Sequence, residues 1–119
     1  MKIQKLVMGI GVLLVAGSWS LALTIAGNPE NGRLIYERLC LRCHGEALDG
    51  KGPAARSLSV PPADFHAYSS RVKDDFELLL TIQRGRTFTE MHQWEDKLTD
   101  KEIRDVVAYI RSAIPGVKP

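Results

Sequence analysis

The sequence predicts a small all-α domain of three to four helices. Three segments carry apolar residues at intervals of three and four, the spacing that puts side chains on one face of a helix. Each segment opens with a helix-start signal, and no stretch shows the alternation of apolar and polar residues that marks a half-buried strand. The chain has 119 residues, of which 45% are hydrophobic and 25% charged, and this size and composition fit one globular domain.

The N-terminal 26 residues have the layout of a secretory signal peptide. Lys2 and Lys5 precede an apolar run from Leu6 to Ala16, and small residues stand before the predicted cleavage site after Ala26. We therefore expect residues 27–119 to be exported to the periplasm as one folded domain.

Two alternatives to this processing stay open. The first is cleavage after Ala22, which also ends a stretch with small residues at the required spacing. The second is an uncleaved membrane anchor over residues 6–26, because about 20 apolar residues are enough to cross a bilayer. In that case the domain would sit on the outer face of the inner membrane, and this is the only membrane contact that we expect.

Without Lys2 and Lys5, the chain carries 14 basic and 14 acidic residues, which are interspersed rather than gathered in runs. This balance argues against a nucleic-acid-binding protein, which normally shows a clustered basic face. The remaining 93 residues form a domain small enough to gain stability from a buried cofactor.

The first predicted helix begins at Asn28 and Pro29, because asparagine caps a helix N-terminus and proline suits its first turn. It should end at Gly45, since glycine commonly terminates helices. Five of its residues share one face: Gly32, Tyr36, Leu39, Cys40 and Cys43. Both cysteines are therefore expected to point the same way.

A long loop is predicted over residues 45–67, where glycine and proline accumulate and the periodicity is lost. A loop of that length in a small domain suggests that it folds around a bound group. A second helix is predicted over about residues 75–84, opened by Asp74 and closed by Gly85, and another loop over residues 86–98 follows it.

The last predicted helix has the clearest start signal of the three. Thr99 and Glu102 form a capping box ahead of apolar residues at helical spacing. We expect this helix to end near Ile114, just before Pro115.

Cys40, Cys43 and His44 form a Cys-x-x-Cys-His motif, the pattern of covalent c-type haem attachment. Two thiols one helical turn apart can each add to one haem vinyl group, while the next residue places an imidazole under the iron. The motif therefore predicts one haem c per chain, bound covalently by Cys40 and Cys43 and ligated by His44.

Other uses of a cysteine pair fit this sequence less well. A thioredoxin-like redox pair expects a βαβ context, which the sequence lacks. A structural zinc site needs four ligands, and there is no second cysteine pair. A disulfide would suit an exported protein, but the histidine directly after the second cysteine favours haem.

Met91 is the predicted second axial ligand of the iron. It is the one methionine of the exported domain and lies in an otherwise polar loop, where a core-filling role would be unusual. The adjacent His92 is the main rival and His66 a weaker one, because imidazole also binds haem iron. An open sixth site is the remaining alternative.

From about residue 28 to residue 114, the chain resembles the class I cytochromes c, especially the small bacterial ones. The resemblance implies the cytochrome c fold, with helices wrapped around one covalently bound haem. It also implies that Gly32 and Tyr36 of the first helix pack against the last helix, where Val106 and Tyr109 are their counterparts.

In that family, a proline after the attachment motif accepts a hydrogen bond from the proximal histidine, and Pro53 resembles that residue. Pro53 would then fix the ring of His44. The family usually has a proline directly after the axial methionine, whereas His92 follows Met91 in this sequence.

The resemblance implies an electron-transfer protein rather than an enzyme with a reaction of its own. We expect a one-electron carrier with His/Met ligation that exchanges electrons with redox protein partners in a periplasmic chain. A haem c subunit of a larger membrane or periplasmic oxidoreductase complex is the alternative, and a ligand-binding haem protein is a weaker one. The sequence specifies neither the partners nor the oligomeric state.

Overall fold

The computed structural model of the protein describes residues 26–117. The predicted leader over residues 1–26, with its alternative cut after Ala22, therefore lies outside the described residues except for Ala26. Within the described range all regular structure is helical, which confirms the predicted all-α class. No helix in this part of the chain is long and apolar enough to cross a membrane.

Five α-helices and one short 3₁₀ turn make up the domain. In chain order the α-helices are α1 Pro29–Leu39, α2 Leu41–His44, α3 Tyr68–Arg71, α4 Asp75–Arg84 and α5 Asp100–Ala113. The 3₁₀ turn spans Ala55–Ser57, inside the long loop that follows α2. The bounds of α4 match the predicted second helix, and those of α5 match the predicted last helix.

The predicted first helix is interrupted at Cys40, so that it forms two helices instead of one. Cys40 ends α1, with its backbone N–H donating to the carbonyl of Tyr36, and it also precedes the first residue of α2. The short helix α3 was not predicted, because its four residues are too few to show a periodicity. The glycine at position 45 does end α2, with a φ of 84°.

Helices α1 and α5 approach each other closely at Gly32. A Cβ atom at this position would run into the backbone of Asp105 and Val106, so the two helices approach to a distance that only glycine permits. Beside this contact, the rings of Tyr36 and Tyr109 lie with their centroids 5.2 Å apart at an interplanar angle of 57°. This is the pairing of first and last helix that the family resemblance implies.

The hydrophobic core lies between α1, α4 and α5. Helix α5 supplies four buried apolar side chains at helical spacing, namely Ile103, Val106, Val107 and Ile110. The other buried apolar residues come from α1, α4 and the loops: Ile35, Tyr36, Leu48, Leu78, Ile82, Trp94 and Leu98. The core therefore depends on contacts between segments that are far apart in the sequence.

Asp105 is a buried carboxylate at the junction of α1 and α5, and only 1% of its surface is exposed. It accepts hydrogen bonds from the Asn28 backbone N–H and the Asn31 side chain, each at 2.7 Å, and from the Lys101 ammonium at 2.8 Å. Burial alone would raise the pKa of Asp105, but these donors outweigh it and hold the pKa below its ordinary value. The charged carboxylate thus links the start of α1 to α5.

Replacing Asp105 by asparagine should destabilise the domain in a pH-dependent way. The folded pKa of Asp105 lies below the unfolded value, so its stabilising effect is complete above about pH 4 and is lost as pH falls through the folded pKa. We expect Asp105→Asn to lower the free energy of unfolding by about 1.5–3 kcal/mol at pH 7, as for hydrogen bonds to a charged group. The difference from wild type should shrink at pH 3.

Denaturant unfolding at the two pH values measures this difference. Asp96→Asn is the matched control, since Asp96 is an exposed carboxylate of the loop before α5, and it should change stability little at either pH. A loss in Asp105→Asn that is equal at pH 7 and pH 3 would contradict the proposed role of the charge.

Candidate functional site

The short helix α2 holds the Cys-x-x-Cys-His motif in a fixed frame. The phenol of Tyr36, which is buried on α1, donates to the carbonyl of Gly45 at 2.7 Å and so fixes the end of α2. From the other side, the backbone N–H of Gly52 donates to the carbonyl of Cys43 at 3.1 Å. A side chain at Gly52 would collide with the backbone of α2, so the loop lies directly against the motif.

A cavity of about 430 Å³ opens beside this motif and reaches into the core. Cys40, Cys43 and His44 line one part of its wall. Most of the remaining wall is apolar and comes from the long loop, α4 and α5, including Leu58, Phe65, Leu78, Ile82, Leu98 and Ile110. The motif therefore faces a space that is enclosed mainly by hydrophobic side chains.

His44 is held by a backbone carbonyl and by an aromatic ring. Its Nδ1 lies 3.4 Å from the carbonyl oxygen of Ala63, and its ring stacks on Phe65 with centroids 5.3 Å apart. Burial lowers the pKa of His44, although the Ala63 carbonyl acts in the opposite direction. With Nδ1 donating to Ala63, the neutral ring keeps Nε2 as its metal-binding nitrogen.

The prediction that Pro53 accepts the hydrogen bond of His44 is corrected by this geometry. Pro53 is exposed, and it lines a separate shallow groove instead of the main cavity. Its neighbours Gly52 and Ala54 are paired with the backbone of Cys43 and Arg42, which fixes this stretch beside α2. The extended segment that follows Pro61 and Pro62 crosses the ring of His44 instead, and Ala63 takes the place expected for Pro53.

The two cysteines line the cavity as free thiols and are not joined in a disulfide. Burial raises the pKa of Cys40 to about 12, with the neighbouring Cys43 adding to the effect. A thioredoxin-like pair needs the opposite shift, toward a reactive thiolate. Within residues 26–117, no three His, Cys, Asp or Glu side chains gather in one place.

The other candidate ligands lie in different environments. Met91 is half-buried, lines the cavity and packs against the core. His92 also lines the cavity, but its ring is exposed and stands 4.3 Å from the ring of Trp94. His66 does not line it, and its Nε2 lies 2.8 Å from the carbonyl of Ala47. Among these three, Met91 alone both lines the cavity and packs against the core.

Met91 closes a tight loop over residues 86–91, here called the methionine loop. The backbone N–H of Arg86 donates to the carbonyl of Met91 at 2.8 Å. The loop begins directly after Gly85, whose φ is 69° and whose missing side chain leaves room for the carbonyl of Met91. Phe88 also has a positive φ, of 62°, which is rare for an aromatic residue and marks a constrained loop.

A contact between Ser59 and Glu90 was not predicted from the sequence. The backbone N–H and the hydroxyl of Ser59 both donate hydrogen bonds to the carboxylate of Glu90. These two bonds lower the pKa of Glu90, and the backbone bond has the larger effect. Both residues are exposed and polar and lie in segments without periodicity. The sequence therefore holds no signal that joins them.

The donor set of the cavity fits a covalently attached haem. Its wall contains two thiols, one thioether sulfur and two imidazoles, those of His44 and His92. Sulfur and imidazole are soft ligands, which bind haem iron well and bind hard cations poorly. The apolar side chains around them suit the porphyrin ring. Cys40 and Cys43 would bind the ring covalently, and His44 and Met91 would ligate the iron.

A family model for cytochrome c oxidase, cbb3-type, subunit III matches residues 27–110. Subunit CcoP of a cbb3-type cytochrome c oxidase from Azospirillum brasilense is 29% identical over 91 residues, or 75% of this chain. A subunit of the nicotinate dehydrogenase from Pseudomonas putida is 31% identical over 98 residues, or 76% of this chain. The matches span only 30% and 8% of these two relatives, so both are much longer than the matched segment.

Solved structures show the same fold. A chain of the reducing HAO-like protein complex of Kuenenia stuttgartiensis superposes with a TM-score of 0.64 at 30% identity, over 76% of this chain and 44% of that one. Cytochrome c6 of the diatom Phaeodactylum tricornutum superposes with a TM-score of 0.57 at 18% identity, over 74% of this chain and 95% of that one. The second likeness concerns the fold alone.

Removing the hydroxyl of Tyr36 should loosen the attachment motif. In Tyr36→Phe, the buried carbonyl of Gly45 loses its donor, and we expect the free energy of unfolding to fall by about 1–3 kcal/mol. Tyr109→Phe is the matched control, because it removes a phenol from the other ring of the same aromatic pair. Chemical denaturation measures the free energy of unfolding of both variants. Equal losses in the two would show that the hydrogen bond from Tyr36 to Gly45 does not stabilise the domain.

Proposed function

The chain belongs to the cbb3-type subunit III family of cytochromes c, and from this premise we propose that it transfers single electrons through haem c bound at Cys40, Cys43, His44 and Met91. One observation carries the proposal. Residues 40–44 and Met91 are 47 or more positions apart in the sequence, and yet both contribute to the wall of one apolar cavity. That cavity thus has covalent anchors and two potential axial ligands.

Each residue of the site has a separate role in electron transfer. When bound, the haem supplies a ferrous–ferric couple that accepts and donates one electron. His44, held by Ala63 and Phe65, provides a nitrogen ligand of fixed orientation. The thioether of Met91 and the apolar wall favour the less charged, reduced state and so raise the reduction potential.

The chain acts either as a free carrier or as a subunit of an oxidoreductase complex, and it has no reaction of its own. We favour the carrier, because the chain resembles the small bacterial class I cytochromes c over residues 28–114. The subunit alternative is supported by the relatives, which are named as subunits of an oxidase and a dehydrogenase. A subunit would elute with a larger redox partner, whereas a carrier would elute alone and meet its donor and acceptor transiently.

Two observations support export to the periplasm with cleavage after Ala26. Gly27 already packs against α5, since a Cβ there would collide with the carbonyl of Arg104. The family match starts at the same residue. Cleavage after Ala26 would thus leave the whole domain intact, and an uncleaved leader would tether the same domain to the membrane.

Substituting Met91 tests the ligation. In oxidised holoprotein, Met91→Ala should abolish the weak long-wavelength band of sulfur bound to ferric iron, and the reduced form should bind carbon monoxide rapidly. His92→Ala is the matched control from the next position of the chain and should keep the band. The reverse pattern, with the band unchanged in Met91→Ala, would assign the sixth position to another residue.

The maturation site is tested on protein purified from the periplasm of its host. We expect the N-terminal residue to be Gly27 and the intact mass to correspond to residues 27–119 plus one haem. N-terminal sequencing and mass spectrometry of the holoprotein measure both. A full-length chain recovered only from the membrane fraction would support the anchor instead.

A further inference from the structure

A polar contact at the surface joins two loops that border the cavity. The backbone N–H and the hydroxyl of Ser59 both donate to Oε1 of Glu90, at 2.8 and 2.7 Å. The two residues are 31 positions apart, so this contact, here called the Ser59–Glu90 clasp, connects separate parts of the chain. Because its acceptor is a carboxylate, each hydrogen bond is stronger than one between neutral groups.

Each side of the clasp belongs to the wall of the cavity. Leu58 and Val60, the neighbours of Ser59, line the cavity from the long loop. Glu90 and Met91 line it from the methionine loop. The clasp therefore sets the spacing between the long loop and the segment that presents Met91.

The other hydrogen bonds of the methionine loop preserve its shape but do not anchor it. The hydroxyl of Thr89 donates to the carbonyl of Arg86 at 2.9 Å and accepts from the Met91 N–H at 3.2 Å. Apart from the contacts of Glu90 with the long loop, the hydrogen bonds of residues 87–91 among the described residues stay within the methionine loop. Phe88 is 96% exposed, so the one aromatic side chain of the loop adds no buried contact.

We propose that Ser59 and Glu90 are positioning residues, which hold the methionine loop against the long loop and thereby keep Met91 on the iron. This inference rests on the proposed ligation by Met91. Both residues act through the position of the Met91 thioether. When the clasp is removed, the methionine loop keeps its internal hydrogen bonds but moves away from the cavity more often.

The test uses holoprotein variants Ser59→Ala, Glu90→Ala and the double variant. We expect the rate of carbon monoxide binding to the reduced protein to rise about three- to tenfold in Glu90→Ala, the factor that corresponds to one net hydrogen bond lost. The rise should be smaller in Ser59→Ala, because the backbone N–H of residue 59 still donates to Glu90. The sulfur-to-iron band should disappear at lower denaturant concentration, and amide hydrogen exchange should accelerate at Thr89–Met91 but not in α5. The double variant should be no faster than Glu90→Ala, because both substitutions remove the same contact.

Two controls make the outcome decisive. Glu95→Ala removes another exposed glutamate near Met91 and should match wild type, while Glu90→Gln keeps an acceptor for Ser59 and should recover part of the effect. Rates in Ser59→Ala and Glu90→Ala equal to that of Glu95→Ala would overturn the proposal, as would effects that multiply in the double variant.

The proposed function and the clasp fail in different ways. If Met91→Ala changes the spectrum but the clasp variants match wild type in all three measurements, only the clasp is wrong. If Met91→Ala leaves the spectrum unchanged, the ligation fails and the positioning role fails with it.

Discussion

The close approach of α1 and α5 at Gly32 is the constraint on which the rest of the domain depends. Because a side chain at this position has no room, the helices meet backbone to backbone, and Tyr36 and Tyr109 can pack beside the crossing. Asp105 then joins the start of α1 to α5 through buried hydrogen bonds. The position of α1 in turn decides where α2 begins, and with it where the thiols and the imidazole face.

Local signals were sufficient to predict most of the helices. The capping residues Asn28, Asp74 and Thr99 all accept the backbone hydrogen bonds expected of them, because capping depends only on residues within one turn. The interruption at Cys40 was missed, since it breaks the helix without altering the apolar spacing. The attachment motif was recognisable because its spacing follows from the chemistry of the haem.

Contacts between distant loops could not be predicted from the sequence. The carbonyl beside His44 comes from Ala63, and any residue type offers a backbone carbonyl, so the sequence could not distinguish it from the carbonyl of Pro53. The Ser59–Glu90 clasp has the same character, because exposed serine and glutamate are common and their pairing depends on how two loops meet. The prediction of Met91 as a ligand rests on a different signal, since a lone methionine in a polar loop is chemically unusual.

Gly85 has two structural roles. It ends α4 in a left-handed backbone conformation, and its missing side chain makes room for the carbonyl of Met91. Any mutation at this position therefore disturbs the end of a helix and the seat of the methionine in a single event. Because both features depend on the same missing side chain, the position of the Met91 carbonyl cannot be altered at residue 85 without also altering the end of α4.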